Sequence, residues 1–130
     1  MGSPDESGRL RNAAGVRCQT DIDADGRYGW RVVAQNGRVV AVSATAFTSY
    51  ERCRASFEEV CRQHAVLTGG VQHTQENNGW MWVVRNEAGQ RTIVSARSYE
   101  RYSTCRAAYA RFRDLLRELG ESGEVPWSGS

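Results

Sequence analysis

Few residues in this chain are equipped for chemistry: four cysteines, two histidines and one run of carboxylates. In Asp21-Ile22-Asp23-Ala24-Asp25-Gly26 three carboxylates at alternate positions precede a glycine. That pattern matches the opening of a calcium loop, in which side-chain oxygens converge on a hard cation and the glycine permits a sharp turn. The twelfth position, however, is Val32 instead of a bidentate glutamate, and strand-forming residues begin inside the loop at Tyr28, so the run reads as an acidic turn between two strands. Cys18, Cys53, Cys61 and Cys105 include no C-x-x-C pair, and the C-x-x-H step from Cys61 to His64 has no source of further ligands. The thiols read as small buried core residues, no metal is assigned, and a Cys53–Cys105 disulfide is not expected in a reducing compartment. Neither His64, at the end of a predicted helix, nor His73, in a linker, has an acidic partner at a recognisable spacing. The chain also lacks a nucleophile elbow, a phosphate loop and a dinucleotide fingerprint, so the expectation is a protein that is not an enzyme and needs no cofactor.

A second group of residues suggests binding. The repeated strands carry aromatics with arginines, Tyr28, Trp30 and Arg31 in one and Trp80, Trp82 and Arg85 in the other, and Arg106, Arg113 and Arg117 fall outside the apolar stripe of the second predicted helix. A sheet face that carries aromatics beside arginines can stack bases and neutralise phosphates, as single-strand binders do. The competing reading is structural: the tryptophans alternate with valines as core residues do, and helical arginines pair with Asp114 and Glu118 on a solvated face. All 17 basic residues are arginine, which GC-rich codon usage explains, selection for the planar guanidinium fork being the other reading. The net charge of +2 implies no nucleic-acid or membrane partner by itself.

These residues are positioned by an internal duplication. Shifting the chain by 52 positions aligns Gly26–Val60 with Asn78–Phe112 without a gap and gives 10 identities in 35 positions, among them Trp30/Trp82, Gly37/Gly89, Ser43/Ser95, Tyr50/Tyr102 and Cys53/Cys105. Each copy opens with alternation, Tyr28-Gly-Trp-Arg-Val-Val-Ala34 and Trp80-Met-Trp-Val-Val-Arg85, which predicts half-buried strands. Asn36-Gly37 supplies the positive-φ residues of a tight hairpin, while Ala88-Gly89 keeps only the glycine. Arg38–Ser43 and Gln90–Ser95, rich in β-branched residues, complete the hairpins. Beyond the predicted N-caps Thr48-Ser49 and Ser103 the period becomes helical. One stripe then carries Tyr50, Cys53, Phe57, Val60 and His64, the other Tyr102, Cys105, Tyr109, Phe112, Leu116 and Leu119. Short strands near Arg17–Thr20 and Val71–Thr74 precede the two units. Residues 1–15 read as a disordered tail, residues 16–119 as one domain of two repeats (16–68 and 69–119), and residues 120–130 as a tail with a docked strand at 124–127. The second repeat is the more basic, with net +3 over Gly69–Leu119 against +1 over Val16–Thr68.

The string Gly29-Trp-Arg, Asn36-Gly-Arg-Val-Val-Ala-Val-Ser43, Phe47-Thr-Ser49 and Arg54-Ala55, echoed by Trp80-Met-Trp, Gly89, Ile93-Val-Ser95, Tyr99 and Arg106-Ala107, resembles the YegP-like family of small proteins of unknown function. The resemblance covers both repeats. It implies two β-β-β-α-β units sharing one antiparallel sheet with helices on one side about a pseudo-twofold axis, with Ala65–Leu67 and Glu124–Trp127 as exchanged strands. Departures are Ala88 where the family favours Asn, a second hairpin loop one residue longer than an Asn-Gly turn, and the tails. The family brings no activity or catalytic residue.

The expected protein is therefore an α+β binding or protein-interaction module, with an unknown protein as its partner, and monomeric because the duplication supplies an internal dimer. No apolar run is long enough for a membrane span or a secretory signal, so a cytoplasmic location is expected. A nucleic-acid binder using the aromatic and arginine face is the alternative, and an enzyme with a site between the repeats the second.

Overall fold

The computed structural model describes residues 15–75, 78–123 and 127. Strands β1 (Arg17–Ile22), β2 (Tyr28–Val33) and β3 (Val39–Ser43) lead into helix α1 (Tyr50–Arg62). Then β4 (Thr68–Thr74), β5 (Gly79–Arg85) and β6 (Arg91–Ser95) lead into α2 (Tyr102–Ser122). The strands form one six-stranded sheet in the order β1-β2-β3-β6-β5-β4, antiparallel at every junction. The two copies meet at the central β3–β6 pair, where Val42 lies opposite Val94. The α+β class with one antiparallel sheet and two helices is the one expected.

Alternation decides what the sheet buries. Cys18, Trp30, Val32, Ala41, Trp82, Val84 and Ile93 form one cluster with Phe57, Val60, Phe112, Leu116 and Leu119 of the helices. Cys53 and Cys105 are both fully buried in that cluster, in keeping with the reading of the thiols as core residues.

Both hairpins turn by the same device. The Gly37 N–H donates to the Ala34 carbonyl (2.9 Å) and the Ala34 N–H to Arg38 (2.8 Å); Gly89, Asn86 and Gln90 repeat the pattern at 2.9 Å. Only the glycines have positive φ, 86° and 83°. This is a type I turn closed by a left-handed glycine, and the ladder shifts register beside it at Val32/Val33 and Val84/Arg85. Asn36 is therefore not a positive-φ residue as expected. Its Oδ1 instead accepts from the Arg38 N–H (2.9 Å); in the second loop Asn86 Oδ1 accepts the matching Gln90 N–H (3.0 Å), so Ala88 suffices there, and the two loops have equal length.

Ser49 caps α1 as expected, its Oγ accepting the Arg52 N–H at 3.1 Å. The N-cap of α2 is Arg101, which makes no side-chain cap bond, and Ser103 lies inside the first turn. The correspondence of 52 positions places Arg101 where Ser49 stands, and helix packing outweighs local capping preference. Three other boundaries differ from expectation. Helix α1 ends at Arg62, so His64 lies beyond it, and α2 continues past Leu119 to Ser122 before Gly123 closes it at φ 74°. Ala65–Leu67 is a turn rather than an exchanged strand, because Leu67 is needed in the core immediately before β4 begins. Trp127 forms a parallel bridge with Cys18 at the β1 edge, packs on Tyr50 and Phe57, and donates its indole N–H to Tyr50 Oη (2.7 Å). The remainder of the predicted 124–127 strand, like residues 1–14, lies outside the described residues.

Candidate functional site

The proposed aromatic and arginine face is not assembled. Trp30 and Trp82 are 2% and 1% exposed, and Tyr28 and Trp80 pack on the same core. A strand turns successive side chains to opposite faces, so Arg31 and Arg85 point away from the helices while the tryptophans point beneath them. Arg31 donates to Gln19 (3.3 Å) and lies 3.7 Å from Asp21; Arg85 donates to the Gly89 carbonyl (3.1 Å). On α2, exposed Arg106 reaches Tyr102 Oη (3.3 Å) and exposed Arg117 pairs with Asp114 (3.1 Å). Arg113 is a clamp. It donates to Tyr109 Oη (2.9 Å) and to the carbonyls of His64 (3.3 Å) and Leu67 (3.0 Å), tying α2 to the chain that leaves α1.

In the acidic loop Asp23 Oδ1 accepts the N–H groups of Asp25 and Arg27, both at 2.9 Å, and Gly26 has φ 78°. That carboxylate builds the turn between β1 and β2. His73 packs edge-on against Trp80 (5.0 Å) and meets Asn78 Oδ1 at 3.1 Å. Burial pushes the Cys53 thiol up to about 11 and the Cys61 thiol up to about 12; it raises Cys105 too. Cys18 is raised by burial first and by the neighbouring Cys61 and Cys53 as well. Thiols held protonated in this way are poor nucleophiles.

The concave features lie between the two copies, the place to which the second alternative assigned a site. Pairing β3 with β6 sets each hairpin beside the other copy's helix, and a cleft opens at each contact. One, of about 460 Å³, lies between α1 and the second hairpin and includes Ser56, Glu59, Gln63, Asn86, Gln90 and Arg91. The other, of about 240 Å³, lies between α2 and the first hairpin, with Ala34, Val40, Trp82, Tyr99, Ala108 and Leu115 in its wall and Arg111 as its one charged residue. Many of these residues correspond at an offset of 52 positions, so the clefts share a frame and differ in chemistry: Ser56, Glu59 and Gln63 in one stand where Ala108, Arg111 and Leu115 stand in the other.

The frame is held by the same hydrogen bonds in both copies. Tyr99 is fixed over the second cleft by reciprocal backbone bonds with Trp80, both 2.7 Å, as Phe47 is by Tyr28 in the first copy. Ser43 and Ser95, identical in the alignment, each accept a tryptophan backbone N–H (from Trp30 at 3.2 Å, from Trp82 at 3.3 Å) and donate onward to the carbonyls of Thr45 and Arg97. Trp82 stacks on Phe112 with centroids 4.7 Å apart. Of the candidate residues Trp82 alone lines either cleft; the other lining residues were not legible because the clefts join segments from different copies, and the signal the sequence held was the Ser56/Ala108 and Glu59/Arg111 replacements.

The architecture is that of an α+β protein with one six-stranded antiparallel sheet and two helices. No family model and no curated protein matches the chain. Among solved structures it is similar to a UPF0339 protein from Shewanella oneidensis (11% identity, 88% of this chain and 92% of that one, TM-score 0.61). It is also similar to YegP from E. coli, a protein of unknown function (15% identity, 89% and 95%, TM-score 0.60). The chain therefore has the YegP-like fold that its repeated motifs imply, and at these identities the likeness concerns the fold alone.

Proposed function

We propose that this protein is a non-catalytic binding module that holds a small apolar molecule in the cleft between α2 and the first hairpin. The observation that supports this most is the lining: Ala34, Val40, Trp82, Tyr99, Phe112 and Leu115 give the cleft an apolar wall in a position where its counterpart is polar. Apolar walls with few, placed polar groups are the usual composition of small-molecule sites. At about 240 Å³ the cleft suits a ligand smaller than a drug-sized compound. Among the described residues no helix is long and apolar enough to cross a membrane.

The reading is tested by titrating the 15N-labelled protein with an uncharged apolar probe, 1-octanol. Shifts concentrated at Tyr99, Ala108 and Leu115 are expected, and Leu115→Gln, which copies Gln63 of the first copy, is expected to weaken them. Shifts spread over the surface, or centred on the α1 cleft, would remove the proposal.

A further inference from the structure

The indole N–H of Trp82 is buried with no hydrogen-bond partner, although Trp82 is 1% exposed and lines the α2 cleft. Leaving a buried donor unsatisfied costs about 1–3 kcal/mol, so native proteins seldom retain one without a use. The first copy shows how the fold normally satisfies it. There the Trp30 Nε1–H donates to Ser56 Oγ at 2.8 Å, and the Ser56 hydroxyl donates in turn to the Cys53 carbonyl (3.1 Å). The residue that corresponds to Ser56 is Ala108, which has no acceptor and also lines the cleft.

One helical turn along, Arg111 stands where Glu59 stands in the first copy. Residues three apart share a helix face, about 5–6 Å between their Cβ atoms, so a group lying over Ala108 is within reach of the Arg111 side chain. Arg111 is exposed and makes no hydrogen bond or ion pair within the described residues, unlike Arg106, Arg113 and Arg117. The cleft thus has an apolar wall, an unpaired guanidinium and, in Trp82, a lining residue whose indole N–H is buried and unsatisfied, and the ligand chemistry complementary to these is an apolar chain or ring ending in a carboxylate.

We propose that the α2 cleft binds small apolar monocarboxylates, one carboxylate oxygen accepting the Trp82 Nε1–H and the other facing the Arg111 guanidinium. This rests on the cleft being the binding site and specifies what it selects. The probe is octanoate, with 1-octanol as the uncharged comparison, followed by calorimetry and by the four tryptophan indole N–H resonances.

Octanoate is expected to bind about tenfold more tightly than 1-octanol and to move one indole N–H resonance downfield. Arg111→Gln, a change at an exposed position, is expected to abolish the octanoate advantage, so that octanoate binds no more tightly than 1-octanol. Ala108→Ser is expected to move the same indole resonance in the free protein by supplying the missing acceptor, and to weaken octanoate severalfold. If 1-octanol binds at Trp82 but octanoate binds no better, the carboxylate assignment is overturned while the cleft reading stands. If neither perturbs the cleft, both fall.

Discussion

Two tryptophans in equivalent positions show how much a single atom decides in this protein. The Trp30 indole is satisfied by Ser56, so Ser56→Ala is expected to cost about 1–3 kcal/mol in urea denaturation, more than a surface serine would. Arg113 acts at the same scale. Like Arg106 and Arg117 it lies off the apolar stripe, yet of the three it alone reaches carbonyls of a distant segment. Arg113→Ala is therefore expected to lower stability by about 2 kcal/mol, while Arg106→Ala and Arg117→Ala stay within about 0.5 kcal/mol, as exposed helical pairs do. Sequence separated none of these roles, since the acceptors of Arg113 lie 46 and 49 residues away along the chain.

At the scale of elements, the strands and helices were legible because their periods differ and because each pattern occurs twice. Alternation marked β2 and β5, and Ser49 announced α1. What alternation should also have excluded is a face shared by Trp30 and Arg31, which neighbour each other on one strand and so point apart. The contact of α1 with α2 has its own requirement. A Cβ built on Gly120 would lie 2.2 Å from His64 Cδ2 and 2.4 Å from the Cys61 carbonyl oxygen, so this helical glycine marks the place where the end of α1 presses on α2. Gly120→Ala, ordinarily favourable inside a helix, is expected to destabilise by about 1–3 kcal/mol, readable as a lowered Tm. An unchanged or raised Tm would show that the two helices separate at no cost.

At the scale of the whole molecule, one core holds four buried thiols, and this gives the fold an alkaline limit. Their pKa values are raised in the folded state, so the folded protein keeps protons that the unfolded chain gives up. The thiols' contribution is thus complete below the ordinary thiol range of about 8.5–9 and is lost as pH rises toward about 11 to 12, the values of Cys53 and Cys61. Unfolding free energy measured across this range should fall with pH, and substituting Cys61 by Ser should flatten the fall. With both copies sharing one sheet and core, we expect a monomer, and light scattering should give 14.5 kDa. The sequence by itself determined the hairpin-helix order along the chain, the turn glycines Gly37 and Gly89 and the apolar stripes, because these follow from local periods and from residues within a few positions of one another. Only the tertiary structure decided that β3 pairs with β6, that each helix therefore faces the other copy's hairpin across a cleft, and that Trp82 keeps a donor with no acceptor. Those outcomes depend on contacts between segments far apart in the chain, which a local pattern does not encode.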